Sequence, residues 1–531
     1  MDCIATRIPY RQTNYFSKII LDYLDHAEAL NSFYSLPASL TGIQKAIQNR
    51  QGFPNRSVLV KELKKQYADS ASSGVSENIQ ALLSDNTFTI TTAHQPNIFT
   101  GPLFFIYKIL HVIKVAGYCK ASLPQYNFVP VYYMGNEDHD LDELGHIFLG
   151  GQKIEWQTKQ KGAVGRMKVD KDFMKMIELI SGQLAVLPFG DEIISVVRKC
   201  YCEGTLIQDA TFKFVDELFA QYGLIVLIPD NPNLKKLGAI IFEDDLFNET
   251  AAGIVEKTAS TLHAAGYKLQ ASARDTNLFY LKDGMRERIV RVRDKFITHE
   301  SRLTFDERGI LQELSDHPER FSPNVILRGI YQETILPNLV YIGGGGEIAY
   351  WLQLKGLFEN YEVSYPVLLL RNSFLVVEKK WNEKISKLGF TAEDFFQPEQ
   401  ELMNRIVARE STNDIKLNGN FTSAEKLYDT LKKQAIAVDS TLAQHVDALK
   451  TQSIYRLQEL EKKMIRAEKR KFSDHQRQIH SIKEKLFPGN GLQERMDNVM
   501  YYYAKWGKDF IHRIYDHSLS LEEEFVVLNE K

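Results

Sequence analysis

The chain has 531 residues, of which 44% are hydrophobic and 25% are charged. These fractions are typical of a globular protein, and the length is too great for one compact core, so two or three domains are expected. A net charge of −3 argues against a protein that binds nucleic acid or an anionic membrane surface through its overall charge.

The four cysteines predict a reducing compartment. They are Cys3, Cys119, Cys200 and Cys202, which form no paired framework, and no secretory signal precedes them, so a cytoplasmic protein is expected. Cys200 and Cys202 lack two further ligands close in sequence, so buried thiols are expected there and no zinc site. No apolar run approaches the ~20 residues that span a bilayer.

Residues 1–86 are predicted to form a helical segment that packs on an α/β core. Residues 87–92 are rich in β-branched and aromatic side chains, which is typical of a buried strand. Pro102 suits the start of a helix, and residues 103–116 are apolar apart from one polar stripe. A second strand is predicted at 128–134. This strand–helix–strand order favours a parallel sheet.

Three further buried strands and an antiparallel insertion complete the predicted core. The strands are expected at 224–228, 339–342 and 366–370. Asp283-Gly284 separates two alternating segments, which is a strong signal for a β-hairpin. We therefore predict a core over 87–380 with an insertion at about 266–320.

The last third of the chain begins with a predicted α-helical coiled-coil domain at 381–487. Residues 420–487 contain no glycine or proline, and leucine and valine recur there at spacings of three and four. The pattern shifts near Ser453, where a break or a stutter is expected. The pattern alone leaves open whether this is one long helix or a hairpin. Residues 488–531 are predicted to return to the core.

Four unusual segments follow predicted strands. They are AHQPNIFTGP (93–102), GNEDHDLDE (135–143), IPDN (228–231) and GGGGE (343–347). Ligands of open α/β sheets bind beyond the carboxyl ends of the strands. We therefore expect these segments to enclose one polar cleft.

The first of these segments offers a site for an anion. A turn that leads into a helix presents free N–H groups and the positive end of the helix dipole. The candidate residues for binding substrate or nucleotide are His94, Gln95, Asn97, Thr100 and Gly101. The alternative is ordinary turn chemistry in a β–α connection.

The second segment supplies the candidate catalytic residues Asp138, His139 and Asp140. A carboxylate beside a histidine can orient the ring and raise its basicity, which suits a general base that deprotonates an amine. The same oxygens could hold Mg²⁺. The alternative is a solvated loop with acidic residues at a helix start.

The tetraglycine segment and the residues upstream of it complete the candidate site. Glycines let a backbone come close to a ligand, and an arginine can bind a carboxylate through two hydrogen bonds. The candidates are Asn324, Arg328, Gly343, Gly344, Gly345, Gly346 and Glu347. For Arg328 the alternative is a surface ion pair.

Nearly the whole chain resembles the cysteine-adding ligase family of bacillithiol biosynthesis. The resemblance rests on the order and spacing of HQPNIFTGPLFFIYK, PVYYMGNEDHDLDEL, FSPNVILR, YQETILPNLVYIGGGGEIAYWLQLK and GNGLQERMDN. It implies a fold of class α/β, in which a Rossmann-like parallel-sheet core with connecting insertions is joined to a long coiled-coil domain that makes a homodimer. The implied reaction joins cysteine to the amino group of glucosaminyl malate.

The resemblance also bears on cofactors. It implies nucleotide binding, with ATP or ADP in an unassigned role. The zinc ligands of related ligases have no counterpart here. Phe99, Thr100 and Gly101 occupy the place of the HIGH-type motif of those ligases and lack its histidines. Two alternatives stay open, namely an ATP-using ligase or nucleotidyltransferase with another amine acceptor, and a non-catalytic coiled-coil scaffold with a nucleotide-binding core.

Overall fold

The computed structural model describes residues 1–68, 72–411 and 416–531. The chain divides into two compact units. The first contains Met1–Val376 and Gly491–Leu528, and the second contains Val377–Asn490 and Asn529–Lys531.

The first unit is built on a sheet of five parallel strands, which confirms the predicted α/β core. Numbered along the chain, the strands lie in the spatial order 3-2-1-4-5, so the direction of winding reverses between the first and the fourth. In chain order the strands are Thr87–His94, Asn127–Met134, Ile225–Leu227, Asn338–Gly343 and Val367–Leu370.

These segments form strands because their apolar and β-branched side chains are buried, as in sheets with helices on both faces. The helices Leu40–Asn49 and Phe104–Ser122 contribute Ile43, Ile47, Val112 and Val115 to one hydrophobic cluster with the sheet. The second of these helices is longer than predicted, because Cys119 continues its buried face to Ser122.

An antiparallel sheet is inserted between the third and fourth core strands. The hairpin at Asp283-Gly284 is confirmed, and Gly284 adopts a φ of +70° that its turn requires. The strands, in spatial order, are Thr304–Asp306, Lys295–Thr298, Met285–Val292, Leu278–Lys282 and Phe321–Pro323.

The N-terminal segment is helical as predicted except at its beginning. Residues Cys3–Pro9 form a strand in a three-stranded sheet with Glu524–Glu530 and Phe374–Val377. The alternation of apolar and polar residues in this strand spans too few residues to predict a strand from the sequence alone. The helices that follow are Tyr10–Thr13, Lys18–Leu24, Leu40–Asn49, Arg56–Gln66 and Ser73–Ala81.

The remaining elements of the first unit connect and cover the two main sheets. One small antiparallel pair is formed by His146–Leu149 and Gln152–Glu155. The other helices are Leu141–Leu144, Lys171–Leu184, Gly190–Cys200, Ile207–Phe219, Pro232–Leu237, Ala239–Phe247, Thr250–Ala264, Glu307–Asp316, Val325–Ile335, Gly345–Trp351, Lys355–Asn360, Val499–Trp506 and Lys508–His517.

The second unit contains a helical hairpin. Helix Asn418–Val438 turns at 439–441 and returns as Leu442–Lys469. Tyr428–Ser453, Lys432–Asp447 and Asp429–Lys450 face each other across the hairpin at 2.6–2.7 Å. Of the break or stutter expected near Ser453, the break is wrong, because the helix continues through this residue. The chain reverses instead where the Asp439 side chain accepts the Thr441 N–H. The other helices are Lys379–Lys387, Glu399–Glu410 and Ser473–Leu486.

Among the described residues, the helices are all too short or too polar to cross a lipid bilayer.

Candidate functional site

A polar cavity of about 670 Å³ lies at the carboxyl ends of the core strands. Its walls come from the turns after the first, second and fourth strands, so it sits where the winding of the sheet reverses. The predicted residues that line it are His94, Gln95, Asp138, Asn324, Arg328, Gly344, Gly345, Gly346 and Glu347. Three of the four segments that we expected to meet therefore do meet, whereas IPDN (228–231) contributes no residue to the lining, and its Asp230 binds Arg166 instead.

Several predicted residues lie outside the cavity lining. Asn97 and Thr100 are buried, and Gly101 has a φ of +60° in a turn that the closing segment covers. There Asn498 donates to the carbonyls of Phe99 and Gly101. The structure therefore places Asn97, Thr100 and Gly101 outside the cavity, with groups of the closing segment against this turn, whereas His94 and Gln95 of the same segment line the cavity.

His139, Asp140 and Gly343 also lie outside the lining. Gly343 is the buried last residue of the fourth core strand. The Asp140 side chain accepts the Glu143 N–H at 3.1 Å and caps the short helix Leu141–Leu144. Asp140 thus caps a helix, which agrees with the alternative interpretation of this segment as a loop with acidic residues at a helix start.

Asp138 is a carboxylate that two arginines face. Its oxygens lie 3.8 Å from Arg286 Nη1 and 3.7 Å from Arg328 Nη2. Burial raises the pKa of Asp138, but hydrogen bonding with His139 and the charges of Arg328 and Arg286 outweigh burial and hold the pKa well below its usual range. A carboxylate with so low a pKa is a poor general base.

His139 accepts a hydrogen bond from Arg286. Arg286 Nη1 lies 2.7 Å from His139 Nδ1, and a guanidinium can only donate, so Nδ1 accepts in this contact. Burial lowers the pKa of Arg286 to about 10 despite the opposing charge of Asp138. The His139 ring therefore supports Arg286, and it does not line the cavity.

Glu143 lines the cavity and was missed as a candidate, although it ends the acidic segment. It lies at the rim on helix Leu141–Leu144. Partial burial, followed by the charges of Asp138 and Asp140, raises the pKa of Glu143. Two carboxyl groups of one segment thus have pKa values shifted in opposite directions, which is typical of acid–base sites.

Glu137, from the same segment, belongs to a buried ion-pair network beneath the cavity. Lys235 donates to Glu137 Oε1 at 2.6 Å and to the Phe321 carbonyl at 2.8 Å. Arg166 binds Asp230 through two hydrogen bonds of 2.7 Å. This network joins the core to the inserted sheet, which carries Arg286.

Glu347 fixes the tetraglycine turn. It accepts the Gly344 N–H and the Tyr341 hydroxyl, both at 2.8 Å, and it forms an ion pair with the buried Lys108. Lys108 also donates to the Ala93 carbonyl at 2.9 Å, so it connects the ends of the first and fourth core strands. Gly344 has a φ of −72°, so its turn does not depend on left-handed backbone.

Asn324 orients the helix that carries Arg328. Its Oδ1 accepts the Ile326 N–H at 2.8 Å and its Nδ2 donates to Asn277 at 3.0 Å. The cap begins helix Val325–Ile335, on which Arg328 lies one turn later.

His94 lines the cavity as a neutral ring. Burial, then the charges of Lys108 and Arg371, lower the pKa of His94 well below its usual value. Its ring packs at 5.3 Å on Phe104 and on Phe105.

Sequence analysis missed several lining residues that come from distant segments. Arg371 follows the last core strand, and Arg495 belongs to the closing segment, so only the tertiary fold brings them to the cavity. The missed residues are Ala93, Phe104, Gly135, Glu143, Gln270, Phe279, Arg286, Val325, Tyr350, Arg371 and Arg495.

The described residues contain no group of three or more His, Cys, Asp or Glu placed to hold a metal ion. Cys200 is buried, and burial raises the pKa of its thiol to about 12, whereas Cys202 is exposed.

The fold and cavity define a Rossmann-like α/β protein with a polar site at the switch point of its sheet and a helical coiled-coil domain. Residues 3–372 match the family model described as the N-terminal Rossmann-like domain of bacillithiol biosynthesis BshC, and residues 374–530 match the coiled-coil domain of the same family. The chain belongs to the BshC family of bacillithiol biosynthesis.

Relatives of the chain carry the printed name "Putative cysteine ligase BshC". The protein from Flavobacterium johnsoniae is 36% identical over 99% of both chains, and that from Christiangramia forsetii is 36% identical over 98% of both. The protein from Cytophaga hutchinsonii is 36% identical over 93% of both.

A solved structure described as a "putative arginyl t-RNA synthetase" from Campylobacter jejuni covers 89% of this chain and 99% of its own, with 10% identity and a TM-score of 0.20. That score is too low for a structural comparison.

Proposed function

We propose that the protein is a ligase that joins the carboxyl group of cysteine to the amino group of glucosaminyl malate and so forms bacillithiol. The observation that carries the proposal is the single cavity in which Asp138, Glu143 and the turn at Gly344–Gly346 meet, in a chain of this family. The printed names of the relatives supply the reaction class.

Glu143 is the residue to which we assign the proton transfer. When the amine forms the C–N bond, it must lose a proton, and the carboxyl carbon must release an oxygen. Glu143 lines the cavity with a raised pKa, which suits a general base, whereas the low pKa of Asp138 suits the holding of Arg286 and Arg328. This assignment replaces the catalytic roles predicted for Asp138, His139 and Asp140.

Amide formation from a free carboxylate requires a source of free energy. We propose ATP as the co-substrate that activates the cysteine carboxylate. ADP as the product would indicate an acyl phosphate intermediate, and AMP would indicate an adenylate. We further propose a cytoplasmic homodimer that associates through the helical hairpin of the second unit.

Incubation with cysteine, glucosaminyl malate and ATP tests the proposal. Mass spectrometry should detect bacillithiol with the native protein and with Asp142→Asn, a neighbouring exposed carboxylate outside the cavity. Product should fall about 10²- to 10⁴-fold with Glu143→Gln. Parallel reactions with other amines test the alternative acceptor, and product from another amine but none from glucosaminyl malate would refute the assigned substrate.

A further inference from the structure

The closing segment GNGLQERMDN has no role yet in the proposed reaction, although it reaches the cavity. Gln493 holds it to the strand Phe374–Val377 through two hydrogen bonds of 3.0 Å with the backbone of Val376. At its other end, Leu103 N–H donates to the Asp497 carbonyl and Asn498 covers the turn at Gly101. The segment is therefore fixed at both ends against the rim of the cavity.

Arg371 lies beside this segment with its orientation set by the protein. Its Nη2 donates to Glu494 at 2.6 Å, and its Nη1 donates to the Asn372 carbonyl and to Ser373. The side chain is buried, and Nε lies 3.5 Å from the place where a Cβ at Gly344 would be. Nε, the one nitrogen of Arg371 that donates to no described residue of the protein, therefore lies in contact distance of the turn at Gly344.

Arg495 differs from the other arginines of the cavity in its partners. Arg286 and Arg328 face Asp138, and Arg371 is paired with Glu494. Within the described residues, the Arg495 guanidinium has neither an ion pair nor a hydrogen bond. Arg495 is exposed to solvent, and partial desolvation, followed by the nearby charge of Arg371, lowers its pKa. Two guanidinium groups therefore line the cavity, and an anion placed between them would interact favourably with both.

We propose that Arg495 and Arg371 form the subsite that binds the two carboxylates of the malate part of the amino-sugar substrate. Arg495 can bind one carboxylate through paired hydrogen bonds, and Arg371, whose two Nη atoms already donate to the protein, can donate to the other carboxylate through Nε. The carboxyl group of cysteine has to react, so two arginines bound to its oxygens would hinder the reaction. This inference rests on the proposed function, because it assigns the malate part of the proposed substrate to these two arginines.

Calorimetric titration with glucosaminyl malate, without ATP or cysteine, tests the subsite apart from turnover. The native protein should bind glucosaminyl malate much more tightly than methyl glucosaminide, which has the amine but no carboxylates. Arg495→Gln should weaken binding of glucosaminyl malate about 10- to 100-fold and leave methyl glucosaminide unaffected. Arg495→Lys keeps the charge and should lose less. Arg198→Gln removes a surface arginine paired with Glu178 and should change nothing.

The outcomes separate the subsite from the reaction. Unchanged binding of glucosaminyl malate to Arg495→Gln, or no binding to the native protein, would overturn the subsite. Weaker binding of ATP to Arg495→Gln, with glucosaminyl malate unaffected, would also overturn it and assign the pair to phosphate. Loss of glucosaminyl malate binding in Arg495→Gln would support the subsite even if the native protein made no bacillithiol. The absence of bacillithiol would then refute only the proposed function.

Discussion

Asp138 and Glu143 lie five positions apart in one acidic segment, yet their surroundings give them different chemistry. Asp138 faces two guanidinium groups and stays charged, whereas Glu143 sits at the rim beside two other carboxylates, which disfavour its charged form. The segment thus provides one carboxylate to hold cations and another to accept a proton.

The pH dependence of the reaction should show which carboxylate is the base. A base works when deprotonated, so kcat/KM should fall as pH decreases through the pKa of Glu143, and this limb should lie above the range of an ordinary glutamate because the pKa is raised. Glu143→Gln should remove the limb together with most of the activity. Asp138→Asn should lower the activity and move the limb to lower pH without removing it, because the Asp138 charge helps to raise the pKa of Glu143. A limb that disappears in Asp138→Asn would reverse the two roles.

At the scale of elements, the turn after the fourth core strand depends on one buried ion pair. Lys108, from the helix after the first strand, meets Glu347 at the start of the helix after the fourth strand, and Glu347 also accepts the Gly344 N–H. The two strands that flank the switch point are thereby held at a fixed spacing.

Glu347→Gln should destabilise the protein because Lys108 would remain buried without its countercharge. The expected loss in the free energy of unfolding is about 3 kcal/mol. Glu155→Gln, which breaks an exposed pair with Lys153, should cost less than about 1 kcal/mol. Urea unfolding followed by tryptophan fluorescence measures both, and equal losses would show that the pair at Lys108 does not hold the turn.

The helical hairpin is the second element with a testable consequence. Leu427 and Leu431 on its first helix are exposed, as are Leu442 and Leu449 on its second. An apolar face of this kind on a coiled coil favours association. These exposed leucines support the dimer proposed above.

Leu427→Gln with Leu431→Gln should weaken the dimer by at least about tenfold in Kd, since each change removes apolar surface from the contact. Leu179→Gln with Val186→Gln alters two exposed apolar residues of the first unit and should leave association unchanged. Light scattering over a dilution series measures the mass. A native protein that is monomeric at micromolar concentration would contradict the proposed dimer.

At the scale of the whole molecule, the position of the cavity could be predicted from the sequence. Most of the arginines that give the cavity its positive charge could not. Buried strands followed by polar turns indicated that Asp138 and Gly344 would meet, because parallel strands end at one edge. Arg495 lies more than 350 residues after the acidic segment, and nothing in its local pattern distinguishes it from a surface arginine. The position of Thr100 and Gly101 outside the cavity could not be predicted for the same reason, since the residues that cover them come from the closing segment.

A crystal structure with glucosaminyl malate bound tests the central claim most directly. The account predicts the sugar in the cavity, with its amine within about 3.2 Å of Glu143 and its carboxylates on Arg371 and Arg495. Density for the ligand at another site, with an empty cavity at the switch point, would contradict it.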